Sequence, residues 1–183
     1  PARHAAEYER QIERVLISEE ALQAKLRDLG ERITADYAGK DLLLVCVLKG
    51  AFVFLADLVR QIDGPVTLDF IAVSSYGSGT TSSGEVRMLK DVDQRLEGRN
   101  VVIVEDIVDT GLTLSYLQEI LRARGPKSLK TACLLSKPSR RKVDVPVEYV
   151  GFTIEDRFVV GYGLDFGEQY RQLPYIGVMD GGH

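Results

Sequence analysis

The apolar positions of the chain recur at helical spacing, then as unbroken runs, then at helical spacing again. From Ser18 to about Ala38, Leu22, Leu26, Leu29, Ile33 and Tyr37 step by four and three, which lines up one face of a helix. Ser18 stands before the run and suits its N-cap. DLLLVCVLKG, 41–50, is almost continuously apolar, as expected of a strand covered on both faces. AFVFLADLVRQI, 51–62, returns to helical spacing at Phe52, Leu55, Leu58, Val59 and Ile62, and Asp63-Gly64-Pro65 stops it. VTLDFIAVSSY, 66–76, reads as a strand, GSGTTSSGE, 77–85, as a mobile polar loop, and EVRMLKDV, 85–92, as the return strand. After a turn at EGRN, 97–100, NVVIVED is another buried strand ending in Glu105 and Asp106. The loop IVDTG leads to a helix over 113–124, with Leu114, Leu117 and Leu121 aligned and Gly125 as its stop. SLKTACLLS, 128–136, is a further strand, and YVGFTI, FVVGYGLDF and YIGVM are short β-like pieces.

This alternation predicts an α/β fold with a largely parallel central sheet flanked by helices. One domain spans 1–183, with the core sheet at about 38–140 and a small β-rich hood made mainly from 145–183 with the N-terminal segment. A chain of 183 residues, 45% hydrophobic and 27% charged, is enough for one sizeable core. The net charge of -4 argues against a general binder of nucleic acid or membrane surfaces. No apolar run approaches the ~20 residues of a membrane span, and PARHAAEYERQIERV lacks a signal-peptide core. Cys46 and Cys133 sit inside apolar runs and are expected to be buried, reduced thiols, which points to the cytoplasm.

The two histidines, His4 and His183, lie at the chain ends. That leaves no histidine for a Ser-His or Cys-His nucleophile, or for a zinc site of the usual Cys/His kind. Acid-base chemistry falls to carboxylates, lysines or tyrosines. The stretch VVIVEDIVDTGLTL, 101–114, concentrates candidates for it. In an open α/β sheet, ligands bind outside the carboxyl ends of strands. N–H groups at the start of the next helix favour an anion such as phosphate. Thr110 and Thr113 add hydroxyls, and Gly111 lets backbone approach closely. Glu105, Asp106 and Asp109 repel a phosphate, so they suit hydroxyl groups or a Mg²⁺ ion on the same ligand. A phosphate beside a diol describes a sugar phosphate. The plainer reading is a solvated loop whose Asp and Thr residues serve as caps. A Walker A loop is absent, GSGTTSSG is not a dinucleotide fingerprint, and a phosphoacceptor signalling domain would carry its acid pair nearer the start.

VVIVEDIVDTGLTL resembles the phosphoribosyl-pyrophosphate (PRPP) loop of type I phosphoribosyltransferases, and the chain as a whole resembles their hypoxanthine-guanine type. VLKGAFVFLADL, 47–58, resembles the segment whose Lys-Gly peptide contacts pyrophosphate. SSYG, 74–77, resembles the start of the flexible catalytic loop, with Ser75 and Tyr76 leading into a lid. LLSKPSRRK, 134–142, carries the lysine that reads a purine 6-oxo group, and VGFTIEDRFVVGYGLDFGEQYRQLPYIGV, 150–178, resembles the base-binding hood. The likeness covers about residues 12–179, and the five motifs fall in the family's order.

The resemblance implies a type I phosphoribosyltransferase fold and transfer of the phosphoribosyl group from PRPP to a 6-oxopurine, with Mg²⁺ as cofactor. It implies that Glu105 and Asp106 face the ribose hydroxyls directly or through Mg²⁺, that Asp109 carries the proton at purine N7, and that Asp109, Thr110, Gly111, Leu112 and Thr113 hold the 5'-phosphate. Lys49, Gly50 and Arg171 are expected at pyrophosphate, with a cis peptide at Lys49-Gly50. Lys137, Phe158, Val159 and Asp165 are expected around the purine, Asp165 also as a ligand of a second Mg²⁺. Leu112 departs from the pattern, since many relatives carry Lys or Arg there. A homodimer or homotetramer is expected, with small-molecule substrates and neither nucleic acid nor membrane as partner. Two other readings remain on the same fold: a xanthine-preferring enzyme, and an RNA-binding regulator. The acidic charge and the hood with Lys137 and Phe158 argue against the regulator.

Overall fold

The computed structural model describes residues 11–75 and 86–179. The expected element order is present: β1 (Ile12–Ile17), α1 (Glu19–Asp36), β2 (Leu42–Leu48), α2 (Phe52–Val59), β3 (Val66–Ser75), β4 (Val86–Lys90), β5 (Asn100–Val108), α3 (Leu112–Arg122), β6 (Ser128–Ser136), β7 (Tyr149–Thr153), β8 (Val159–Val160) and β9 (Ile176–Met179). Six strands form the large sheet in the order β4-β3-β2-β5-β6-β7, and three form a small one in the order β1-β9-β8. In the large sheet, β3, β2, β5, β6 and β7 run parallel, and only β4 is antiparallel, paired with β3. The small sheet is antiparallel and forms the hood.

The unbroken apolar run of β2 follows from its central place. Leu42, Leu44 and Cys46 pack into one core with α1 and α2, while Leu43, Val45 and Val47 pack into a second with α3. Strand residues alternate faces, so a strand covered twice needs apolar residues throughout. Cys46 belongs to the first core and Cys133 to the second, so the sheet separates the two thiols. Both are free and buried, as expected.

Helix α1 begins where its cap predicts, with the Ser18 hydroxyl accepting from the Ala21 N–H at 3.1 Å, and its stripe from Leu22 to Tyr37 is buried. Helix α2 departs from expectation. It ends at Val59, and Phe54 is its fully buried aromatic while Phe52 stays 43% exposed. The short helix has apolar residues on nearly every side, so spacing alone does not select its inner face. Strand β5 runs two residues further than expected, through Ile107 to Val108, because Ile107 and Val108 still pair with Leu135 and Ser136 of β6. The strand Tyr149–Thr153, grouped with the hood by its pattern, lies at the edge of the large sheet.

Among the described residues, no helix is long and apolar enough to cross a membrane. Tyr76 and the polar loop 77–85 lie outside the described residues, as do both histidines. Ser75 is the last residue of β3.

Candidate active site

The large sheet and the hood enclose a cavity of about 1000 Å³ at the carboxyl end of β5. Asp106, Ile107 and Asp109 line it from the sheet, Lys137 from the end of β6, and Phe158, Val159, Leu164 and Asp165 from the hood. Asp106 Oδ1 accepts from the Ile107 N–H at 2.6 Å, and Asp109 Oδ1 accepts from the Thr110 N–H at 2.6 Å. Each carboxylate is therefore held at one oxygen by the adjacent peptide. Glu105 is buried at 6% exposure and is not a lining residue. Burial, and then the negative charge of Asp106 beside it, raises the Glu105 carboxyl well above the ordinary range. Burial also raises Asp106, against the pull of the Ile107 N–H and the Arg171 charge.

Beyond Asp109 the chain turns into α3 through Gly111, at φ 83°, in the left-handed region. A Cβ there would also meet Val145 Cγ1 at 2.9 Å, so a larger residue fails on both counts. No side chain caps this helix start through Gly111, and the Leu112 N–H reaches only the Thr110 hydroxyl, at 3.3 Å. The N–H groups and the helix dipole at this end suit an anion.

Arg141 braces the same turn. Its Nη1 donates to the carbonyls of Val108 and Asp109, both at 2.8 Å, and its Nη2 donates to the Ser136 hydroxyl at 2.9 Å. Lys137 is 11% exposed, with Nζ 3.6 Å from Asp156 Oδ1, and Arg140 approaches the other oxygen of Asp156 at 3.3 Å. Phe158 presents an exposed face and meets Phe166 edge-on, with ring centroids 5.6 Å apart.

On the other side of Asp106, the peptide Leu48-Lys49 is cis. The cis bond was expected at Lys49-Gly50 and stands one residue earlier, at the junction where β2 ends at Leu48 and the chain turns toward α2. A Cβ on Gly50 would lie 1.9 Å from Asp106 Oδ2, and a Cβ on Gly163 would lie 2.7 Å from the Gly50 carbonyl oxygen. Arg171 Nη1 donates to the Gly163 carbonyl at 2.6 Å. Arg171, Gly163, Gly50 and Asp106 thus form one contiguous line from the hood to the sheet.

The phosphoribosyl transferase domain family matches residues 16–167 of the chain. The chain is 55% identical over 168 residues to the hypoxanthine-guanine phosphoribosyltransferase of Bacillus subtilis (strain 168), covering 92% of this chain and 93% of that one. It is 51% identical over 171 residues to the enzyme of that name from Streptococcus thermophilus (strain CNRZ 1066), covering 93% and 95%. The chain belongs to the hypoxanthine-guanine phosphoribosyltransferase family. Solved structures agree. A hypoxanthine-guanine phosphoribosyltransferase from Bacillus anthracis matches with a TM-score of 0.89 at 51% identity, over 92% of this chain and 99% of that one. A hypoxanthine phosphoribosyltransferase from Staphylococcus aureus matches with a TM-score of 0.91 at 46% identity, over 94% of each chain. The fold is therefore the type I phosphoribosyltransferase fold, with its mostly parallel sheet and small antiparallel hood.

Asp106, Asp109, Lys137, Phe158, Val159 and Asp165 share one cavity in this phosphoribosyltransferase. Glu105 stands behind Asp106, while Lys49 and Arg171 lie off the cavity and converge on Glu168. Glu13, Arg140, Asp156 and Arg157 also line the cavity, and no local pattern marks them. Glu13, on β1, receives Arg157 Nη2 at 2.6 Å. The pairing of β1 with β9 brings it there, and no pattern near residue 13 reports that pairing.

Proposed function

We propose that this chain carries out purine salvage, moving the 5-phosphoribosyl group of PRPP to N9 of hypoxanthine or guanine and releasing IMP or GMP with pyrophosphate. One observation carries the reading: a single cavity is lined by the acids Asp106 and Asp109, suited to a sugar, together with Lys137, Phe158 and Val159, suited to a base.

Displacement of pyrophosphate builds positive charge on the anomeric carbon and requires no protein nucleophile. Asp106, backed by Glu105, takes the ribose hydroxyls. Thr110, Gly111, Leu112 and Thr113 receive the 5'-phosphate through N–H groups and hydroxyls, since Leu112 brings no charge. Asp109 accepts the N7 proton as the base attacks, a task for a carboxylate within hydrogen-bond reach. Lys137 is a donor only, so it donates to a 6-oxo group and disfavours the 6-amino group of adenine. Phe158 stacks on the purine face, and Val159 and Asp165 border its far edge. Lys49, Gly50 and Arg171 take pyrophosphate.

Mg²⁺ fits the donor chemistry: the hard carboxylate oxygens of Asp106, backed by Glu105, would hold one ion at the ribose, and Asp165 would hold a second at pyrophosphate. Among the described residues, no group of three or more His, Cys, Asp or Glu converges on one point. When bound, Mg²⁺ neutralises charge on the diphosphate and on the buried acid pair. We further propose one domain across 1–183, a homodimer or homotetramer, and a cytoplasmic location with no nucleic-acid or membrane partner.

The test is product formation from PRPP and Mg²⁺ with hypoxanthine, guanine, xanthine and adenine in parallel. Turnover of hypoxanthine or guanine with none of adenine is expected. Preference for xanthine, or tight RNA binding without turnover, would overturn the assignment.

A further inference from the structure

Glu168 sits at the centre of a small charged knot on the hood. Its Oε2 lies 3.0 Å from Lys49 Nζ, and its two oxygens lie 3.2 and 3.3 Å from Arg171 Nη2. Arg171 is 18% exposed on its side chain, whereas Lys49 and Glu168 are largely open to solvent. The hydrogen bond from Lys49, and then that from Arg171, lowers the Glu168 carboxyl below its ordinary range. The carboxylate is therefore charged at neutral pH and bridges two cations contributed by distant parts of the chain.

The backbone is shaped to put it there. Glu168 has φ 69° and Tyr170 φ 77°, both in the left-handed region that side-chain-bearing residues seldom occupy. The Glu168 N–H is satisfied by Asp165 Oδ2 at 2.9 Å. Gly167, at φ 58°, and Glu168 are the two central residues of a tight hairpin turn whose flanking residues Phe166 and Gln169 exchange N–H to carbonyl bonds at 3.0 and 3.1 Å, and such a turn needs left-handed residues at both positions.

We propose that Glu168 is a resident anion that occupies Lys49 and Arg171 in the free protein and must leave them when a diphosphate binds. This rests on the reading of Lys49 and Arg171 as pyrophosphate-binding residues, to which it adds the Lys49 ammonium as a cation for the diphosphate. A carboxylate presents two oxygens to a guanidinium and an ammonium much as a phosphate does, so the two ligands exclude each other. Because Glu168 is solvent-exposed, its grip is weak and salt-screened, so it keeps the two cations in place without blocking the site. The same competition hastens loss of pyrophosphate after transfer, since Glu168 re-forms both contacts as the product departs.

The experiment compares the full chain with Glu168→Gln and Glu168→Asp. Calorimetric binding of inorganic pyrophosphate with Mg²⁺ is measured alongside PRPP and hypoxanthine kinetics. Glu168→Gln should bind pyrophosphate roughly two- to five-fold more tightly at low salt, lower the KM for PRPP by a similar factor, and leave the KM for hypoxanthine unchanged. Glu168→Asp, charged but shorter, should fall between. The gain should shrink as salt rises toward ~0.5 M. Unchanged or weaker pyrophosphate binding in a folded Glu168→Gln protein overturns the proposal and makes Glu168 a prop for Arg171. If the unaltered chain shows no transfer but Glu168→Gln still tightens pyrophosphate binding, the competition stands and the assigned reaction fails.

Discussion

The carboxylate of Asp106 lies against the backbone of Gly50, so close that a methyl group on Gly50 would meet Asp106 Oδ2 at 1.9 Å. An end of a side chain yields where a backbone does not. Gly50→Ala should therefore leave thermal stability within ~1 kcal/mol while turning the Asp106 carboxylate away and cutting kcat/KM for PRPP by about 10²-fold. Gly163→Ala meets the Gly50 carbonyl instead, from a residue at φ 96°, and should cost about 2–4 kcal/mol. Urea denaturation and steady-state kinetics on both variants separate the two outcomes. Equal stability losses would show that the contact is not as the geometry has it.

Asp109→Asn keeps the size of the side chain and the acceptor facing the Thr110 N–H. The fold should survive, and kcat should fall by about 10²–10⁴. Near-normal turnover would remove Asp109 as the proton acceptor.

Lys137→Ala should weaken 6-oxopurine binding more than PRPP binding, because Lys137 lies on the base side of the cavity. It also leaves Asp156 with Arg140 as its remaining ion-pair partner. Separate KM values for the two substrates test this, and equal losses would reassign Lys137 to a structural role.

Glu105 supplies a pH dependence. Its carboxyl is raised by burial in the folded chain. A raised acid binds its proton more tightly when folded, so stability is favoured below its unfolded value, near 4.3, and is lost as pH rises through the folded value. Glu105→Gln removes the ionisation. It should raise the stability of the metal-free protein at pH 7–8 by about 1–3 kcal/mol and flatten the decline from acid to neutral pH. Denaturant midpoints across pH 4.5 to 8 check the sign, and an unaltered slope would reject the assignment. Mg²⁺ with pyrophosphate should narrow the difference between the two proteins.

Elements buried on two faces were the most legible in the sequence. The runs Leu42–Leu48 and Ser128–Ser136 matched their strands closely because composition alone marks such positions. Phe54 was not legible as the buried aromatic of α2, since apolar residues surround that helix and tertiary packing chooses the face. Asp106, Asp109 and Lys137 stood out because each follows an apolar run at a strand end. Asp156, Arg157 and Glu168 did not, because charged residues in turns are the commonest case and their partners lie far away in sequence. Strand β5 overran its expected end because its ladder with β6 continues past the acids, and an acid at a strand end reads locally as a stop.

The pairing of β1 with β9 joins Ile12 to Met179, residues from opposite ends of the chain. The parallel ladder of β3, β2, β5, β6 and β7 uses no residue beyond Thr153, so it can form before the hood closes. The hood's middle strand, β9, pairs with β1 from far away in the sequence, and such long-range pairing is slow. Pulse-labelled hydrogen exchange during refolding should show Val178 protected after Val104. The base-facing wall thus matures after the sheet beneath it, and a chain in which β9 has not yet paired presents the acids of β5 without their hood.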